Sequence, residues 1–298
     1  MASWTPMSAR KHSRQGAFPP ATEPLPVAVL DSHTHIDITL DGPYESMGGE
    51  GGAGPATVED AIARATAAGV DRLVQVGVDV ESSRWGAEVA ERHPAVLATV
   101  ALHPNDAPRL ADLDGALREI ERLAAHPRVR GIGETGLDYF RTGDEGRKAQ
   151  HESFRAHIAI AKRHGKTLVI HDRDAHDDIL RVIDEEGAPD QVVMHCYSGD
   201  EEFARECLDR GFLLSFAGTV TFGNAGHLRR AAAITPLDAM LVETDAPFLT
   251  PMPYRGRPNA SYLIPLTVRA LADVTGHDLA ALCAAISANG ERAFGPWT

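Results

Sequence analysis

The chain's 298 residues are 43% hydrophobic and 24% charged, a make-up that suits a folded globular protein of one large domain or two smaller ones. Its 29 Lys and Arg stand against 42 Asp and Glu, and the formal charge of −13 excludes a general grip on nucleic acid; phosphate would have to be held locally, by bound cations or a few arginines. No stretch approaches the roughly 18 apolar residues of a membrane helix, and three cysteines without paired spacing fit the reducing cytoplasm rather than a disulfide framework.

Residues 1–26, MASWTPMSARKHSRQGAFPPATEPLP, carry basic residues, five prolines and no acid before Glu23. They lack the apolar core of a secretory signal and read as a disordered tail. A single folded domain is expected over 27–298.

From Val27 onward one theme repeats: a short β-branched or Leu-rich run, a turn, then an Ala-, Glu- and Arg-rich helical stretch. VAVLDSH (27–33) is the first run. Glycine-rich ESMGGEGGAGP (45–55) follows; lacking Gly-Lys-Ser/Thr it is no P-loop and reads as a flexible loop able to act as a lid. TVEDAIARATAAG (57–69) opens with Thr57 three residues before Asp60, a capping-box spacing, and ends at Gly69. RLVQVGV (72–78) is the second run, and the helical SSRWGAEVAERH after it stops at Pro94. VLATVALH (96–103) is the third, and LDGALREIERLAAH stops at Pro127, as helices before proline do. VRGIGE (129–134) precedes the longest helical stretch, GRKAQHESFRAHIAIAKRHG, which ends at Gly165. TLVIH (167–171), QVVMH (191–195), FLLSFAG (212–218) and AMLVETD (239–245) complete eight runs.

Continuous apolar runs of this kind are buried parallel strands. Eight strand–helix units in a chain of this size specify an α/β fold, a (β/α)8 TIM-like barrel, for which about 250 residues is typical. A doubly wound sheet is the competitor, but it would announce a Gly-rich phosphate turn.

Side chains alternate along a strand, so His33 and His35 share a face. Glu134, His171, His195 and Asp245 each close a later run, and in a barrel those C-terminal ends converge on one mouth, where active sites lie. Six N/O donors exceed what one ion takes from protein while leaving room for substrate. Two divalent ions are therefore expected, Mg²⁺, Mn²⁺ or Zn²⁺, with Glu134 bridging them through its two oxygens. Asp245 could ligate and also accept a proton from the attacking water, so Glu134 and Asp245 are the catalytic candidates. His93, His126 and His164 each precede Pro or Gly at a helical C-terminus and read as structural. Asp31 and Glu243 read either as supports for an imidazole or as ordinary buried polar groups. Cys196 should face away from His195, and Asp172 and Asp174 should cap the helix opening near residue 175.

At these residues the chain resembles the TatD family of metal-dependent deoxyribonucleases, among the amidohydrolase-like barrels. The resemblance runs from Val27 to Phe294 and is carried by DSHTHID, ALHPND (101–106), GIGETGLDY (131–139), VIHDRDA (169–175), VMHCYSG (193–199) and VETDAPFLTPMPYRGRPN (242–259). It implies metal ligands at His33, His35, Glu134, His171, His195 and Asp245, and a place beside the substrate for His103. It also makes Tyr139, Arg173, Arg255 and Arg257 candidates for phosphate contact, since guanidinium forks match phosphate oxygens. The 45–55 loop and the tail before residue 27 look like additions to the family pattern.

The leading expectation is metal-dependent hydrolysis of DNA phosphodiesters by a metal-activated water. The absence of a basic groove favours DNA ends or short oligonucleotides over long duplex, hence an exonuclease on single-stranded ends, acting as a monomer with no membrane partner; the polarity expected from the family resemblance is 3′–5′. The alternative is a small-molecule amidohydrolase acting on a lactone, amide or ester. Many such barrels bridge their metals with a carboxylated lysine, but here Lys166 lies about 16 Å before His171 along its strand. A scaffold with purely structural metal is the third class; structural zinc sites are closed four-ligand cages, whereas these donors are more numerous and lie at an open mouth.

Overall fold

A computed structural model describes residues 17–42 and 52–297. Eight parallel strands form one sheet in chain order. They are β1 (Val29–Thr34), β2 (Val70–Val76), β3 (Val96–Val100), β4 (Val129–Asp138), β5 (Thr167–Arg173), β6 (Val192–Met194), β7 (Leu213–Phe216) and β8 (Met240–Val242). All eight expected runs become strands. The sheet closes on itself just beyond β8: His35 N–H donates to Ala246 O at 2.8 Å and Asp245 N–H donates to His33 O at 2.9 Å. The seam of the barrel is therefore stitched by residues of the candidate site.

The helices are α1 (Ile36–Asp41), α2 (Val58–Ala67), α3 (Val80–Arg92), α4 (Leu113–Ala124), α5 (Asp144–His164), α6 (His176–Glu186), α7 (Glu201–Asp209), α8 (Gly226–Ile234), α9 (Ile264–Thr275) and α10 (Leu279–Phe294). α5 shows why this layer forms. Phe154, His157, Ile158 and Ala161 recur at helical spacing, and all four are buried. Its last turn ends at Gly165 in the left-handed conformation, φ 59°, which a glycine adopts without steric cost. The Thr57 cap of α2 forms, its hydroxyl accepting from Asp60 N–H at 3.2 Å. The reciprocal half of the capping box does not: the Asp60 carboxylate accepts from Ala56 N–H, one residue ahead of the cap, instead. His93, His126 and His164 end their helices and approach the surface carboxylates of Glu59, Glu91 and Glu121.

The expected tail needs correction in its second half. Phe18 is buried among Ala68, Ala260, Tyr262 and Leu263, and its backbone bridges to Gly52. Arg257 donates to the carbonyls of Ala17 and Phe18 at 2.7 and 2.8 Å, and Tyr262 Oη donates to Pro19 O at 2.6 Å. Residues 17–26 are thus a strap on the barrel wall, held because one aromatic side chain finds an apolar socket. Residues 1–16 of that tail, and 45–51 of the expected lid, lie outside the described residues.

Candidate metal centre

His33 and His35 stand at the end of β1, and the turn after them is fixed from β2. Gln75 accepts from Ile36 N–H at 2.7 Å and donates to Asp37 Oδ1 at 2.8 Å. His35 Nδ1 lies 3.2 Å from Val76 O; a carbonyl only accepts, so Nδ1 carries the proton and Nε2 faces the site. The two Nε2 atoms are 3.3 Å apart. Asp31 proves to be structural. It accepts from Thr244 N–H and Thr244 Oγ1 at 2.9 and 2.5 Å, tying β1 to the chain after β8 rather than orienting an imidazole.

Glu134 is the hub, and its two oxygens face different partners. Oε2 is 2.9 Å from His33 Nε2, 3.7 Å from His195 Nε2 and 3.9 Å from His35 Nε2. Oε1 is 2.7 Å from His103 Nε2 and 3.3 Å from His171 Nδ1. Asp245 closes the first group, with Oδ1 3.3 Å from His35 Nε2 and 3.8 Å from His33 Nε2. Donor atoms of His33, His35, Glu134 and Asp245 all lie within 4.8 Å of one another, as do those of His103, Glu134 and His171.

The electrostatics fit a cation. Burial opposes charge on these groups, yet the neighbouring carboxylates outweigh it at three imidazoles: Asp245 pushes His35 up to about 9, Asp138 with Glu134 pushes His171 up to about 9, and Glu243 with Glu134 raises His195. Despite the same burial, the histidines hold Glu134 and Asp245 below the usual carboxylate range. Burial, then His195, keeps His33 low, and its Nδ1 is buried with no hydrogen-bond partner. Protons on imidazoles are here balancing carboxylates, a task a divalent ion takes over when histidine ligates as the neutral ring.

A supporting layer locks the rings. Asp138 Oδ2 lies 3.3 Å from His171 Nε2 and accepts from Asn105 Nδ2 at 2.8 Å, while Gln150 grips its backbone. Glu243 Oε1 sits 2.8 Å from His195 Nδ1, an ion-pair contact without hydrogen-bond alignment, and accepts from Cys196 N–H. Asn259 bonds Thr244 O and Phe248 O, holding the loop that carries Asp245.

Comparison with known proteins identifies the family. The TatD-related DNase description matches residues 30–295. The chain belongs to the TatD-related DNase family. It is 45% identical over 271 residues to an uncharacterized metal-dependent hydrolase TatD of Mycobacterium tuberculosis, spanning 90% of this chain and 98% of that one. It is 34% identical over 245 residues to a protein of Citrobacter rodentium named 3'-5' ssDNA/RNA exonuclease TatD, spanning 80% and 91%. Among solved structures, YJJV, a TatD homolog from Escherichia coli, superposes with a TM-score of 0.79 at 24% identity, over 89% of this chain and 97% of that one. This TatD-family chain is accordingly a metal-dependent hydrolase on a TIM barrel.

The sequence-expected residues of this TatD-family site do not all converge. His33, His35, Glu134, His171, His195 and Asp245 do, and His103 joins them. Tyr139 does not bring its hydroxyl to the cluster: Oη lies 2.5 Å from Asp178 and 2.7 Å from His151, between α5 and α6. Arg257 is committed to the strap. Arg173 and Arg255 lie over the rings of Phe140 and Phe222, 4.0 and 4.2 Å from the centroids. The expected Asp172 and Asp174 caps do not form: Ala175 is the N-cap of α6 with no side-chain cap, and Asp172 instead accepts from Ala175 N–H just ahead of the helix. Burial with nearby Glu243 pushes the Cys196 thiol up, away from a nucleophilic thiolate.

Asp138, Asn105 and His157 went unrecognised in the sequence. Asp138 has a readable signal, since it stands four residues after Glu134 and so shares its strand face. His157 has none. It lies mid-helix in α5, where its Nε2 accepts from Leu102 N–H at 3.0 Å and so fixes the backbone next to His103.

Proposed function

We propose that the chain hydrolyses phosphodiester bonds in nucleic acid, acting as a 3′–5′ exonuclease on single-stranded ends with two divalent ions of Mg, Mn or Zn. The observation that carries this reading is the division of Glu134, whose Oε2 faces His33, His35 and His195 while Oε1 faces His171 and His103. His33, His35, Asp245 and Glu134 would hold one ion, and Glu134 with His171 and His195 would hold the other. When bound, such ions lower the pKa of water and neutralise charge developing on a phosphoryl group.

The chain's own groups do the rest. Asp245 is kept ionised, the state needed to take a proton from attacking water. His103 has its tautomer set by Asn105, whose N–H donates to Nδ1 at 3.0 Å. Nε2 therefore keeps its proton, which makes His103 a donor to a phosphoryl or leaving oxygen rather than a metal ligand. Glu243 and Asp138 steady His195 and His171 from behind. The name of the Citrobacter rodentium relative supports the nucleic-acid substrate.

The test is release of mononucleotides from 3′-labelled single strands, set beside turnover of lactones and esters, each with Mg²⁺, Mn²⁺ and Zn²⁺. Lactone turnover without nucleotide release would replace this reading with the amidohydrolase alternative. Against that alternative stands Lys166, whose ammonium donates to Val129 O at 2.6 Å, at the first residue of β4 and the opposite end of the barrel from Glu134.

A further inference from the structure

We propose that Phe140, with Arg173 stacked on one face of its ring, is a platform that receives the terminal nucleobase of a single strand. The inference rests on the nuclease reading and adds a base subsite to it. Phe140 is 63% exposed, a large apolar side chain left in water immediately after β4. The Arg173 guanidinium lies 4.0 Å from the ring centroid, so the exposed area includes the opposite face. Among the described residues Arg173 has no carboxylate within ion-pair range, so its N–H donors remain open to a phosphate or a base edge.

The mounting is rigid on both sides. Tyr139 is pinned through Oη to Asp178 and His151, and its N–H donates to Arg173 O at 2.9 Å. Arg141 N–H donates to Asp138 Oδ1 at 2.8 Å, and Thr142 Oγ1 donates to Asn105 Oδ1 at 3.0 Å. Asp138, two residues before the ring, touches His171 through its other oxygen at 3.3 Å. Even fully extended, two residues span no more than about 7 Å, so the backbone of Phe140 stays close to Asp138, which itself touches His171. Nothing in the packing calls for an aromatic residue at this tip. An exposed ring capped by an unpaired guanidinium has the chemistry of single-strand recognition, where bases stack on aromatic faces and arginine contributes a cation–π contact.

The deciding experiment compares strands that carry a natural base or an abasic residue at the 3′ terminus. Wild-type kcat/KM should favour the natural base by about fivefold or more, the low end for one stacked base. Phe140→Ala should reduce that preference to within about twofold, and Phe140→Trp should restore it; because the ring is exposed, neither change threatens the fold. A Phe140→Ala protein that keeps the wild-type preference overturns the platform. Binding of the same strands to Glu134→Gln protein, read by fluorescence anisotropy with and without Phe140→Ala, separates the two readings. If no strand is hydrolysed with any metal, the nuclease reading fails. Base-dependent binding that is lost with Phe140 still sustains the platform, and base-independent binding sinks it.

Discussion

Glu134 meets imidazoles on both of its oxygens, so a change there removes more than one contact. Glu134→Gln keeps the shape but loses the charge that pairs with His33 and His103; hydrolysis should fall to background while circular dichroism stays native, and retained turnover would falsify the bridging role. Asp138→Asn is milder. It keeps the bond from Asn105 possible but weakens the hold on His171, and supporting groups of this kind are worth about 10- to 100-fold in metal affinity or activity. Calorimetric titration with Mn²⁺ should show that loss, and affinity equal to wild type would remove Asp138 from the support. His157 offers a pH signature of its own. Burial pushes its pKa down to about 4, with only the Ser153 carbonyl favouring the charged ring. A histidine held neutral in the fold destabilises it once the unfolded chain begins to protonate. Its contribution is intact above about pH 6.5 and is lost progressively down to about 4, by up to about 3 kcal/mol. His157→Gln should flatten that part of the stability curve in urea unfolding at pH 7.5 and pH 5; an equally steep loss in the variant would show that other groups cause it.

At the scale of elements, strands and helices were legible because their signals are local. VLATV is apolar throughout and becomes β3, every residue of it buried, and Gly165 marks the end of α5. The strap was not legible. Nothing around Phe18 signals an ordered segment, since its socket is assembled from Ala68 on one helix end and Ala260, Tyr262 and Leu263 far along the chain. Phe18→Ala should cost about 3 kcal/mol, the low end for truncating a fully buried phenylalanine; a melting temperature unchanged from wild type would mean the strap adds nothing to stability. Tyr139 misled for a similar reason. Its motif lies beside the site, but the chain turns directly after β4, and α5 and α6 supply better partners for the hydroxyl than a substrate could.

Across the whole molecule, the buried carboxylates and imidazoles lower the cost of taking a cation out of water. Added Mn²⁺ or Zn²⁺ should raise the melting temperature in proportion to the logarithm of its concentration, and chelation should reverse the rise. Indifference of the melting point to both would count against a metal centre. The net charge of −13 argues in the same way about substrate. Few phosphates can be neutralised, so affinity for oligonucleotides should fall with salt along a shallow slope, about −2 rather than the −10 of a protein that grips long DNA.

Composition and order of residues by themselves determined the eight-fold strand–helix repeat and the donors at strand ends. Alternation and apolar runs are properties of neighbouring residues, and a closed parallel barrel leaves one rim on which those ends meet. Only the tertiary structure decided that His103 keeps a proton toward Glu134, that Asp31 braces the barrel seam, that Arg257 serves the strap and that Phe140 stands exposed beside Arg173. Those outcomes depend on which partner a side chain reaches first across tens or hundreds of intervening residues, and on rotamers that packing selects. Local pattern carries no information about either.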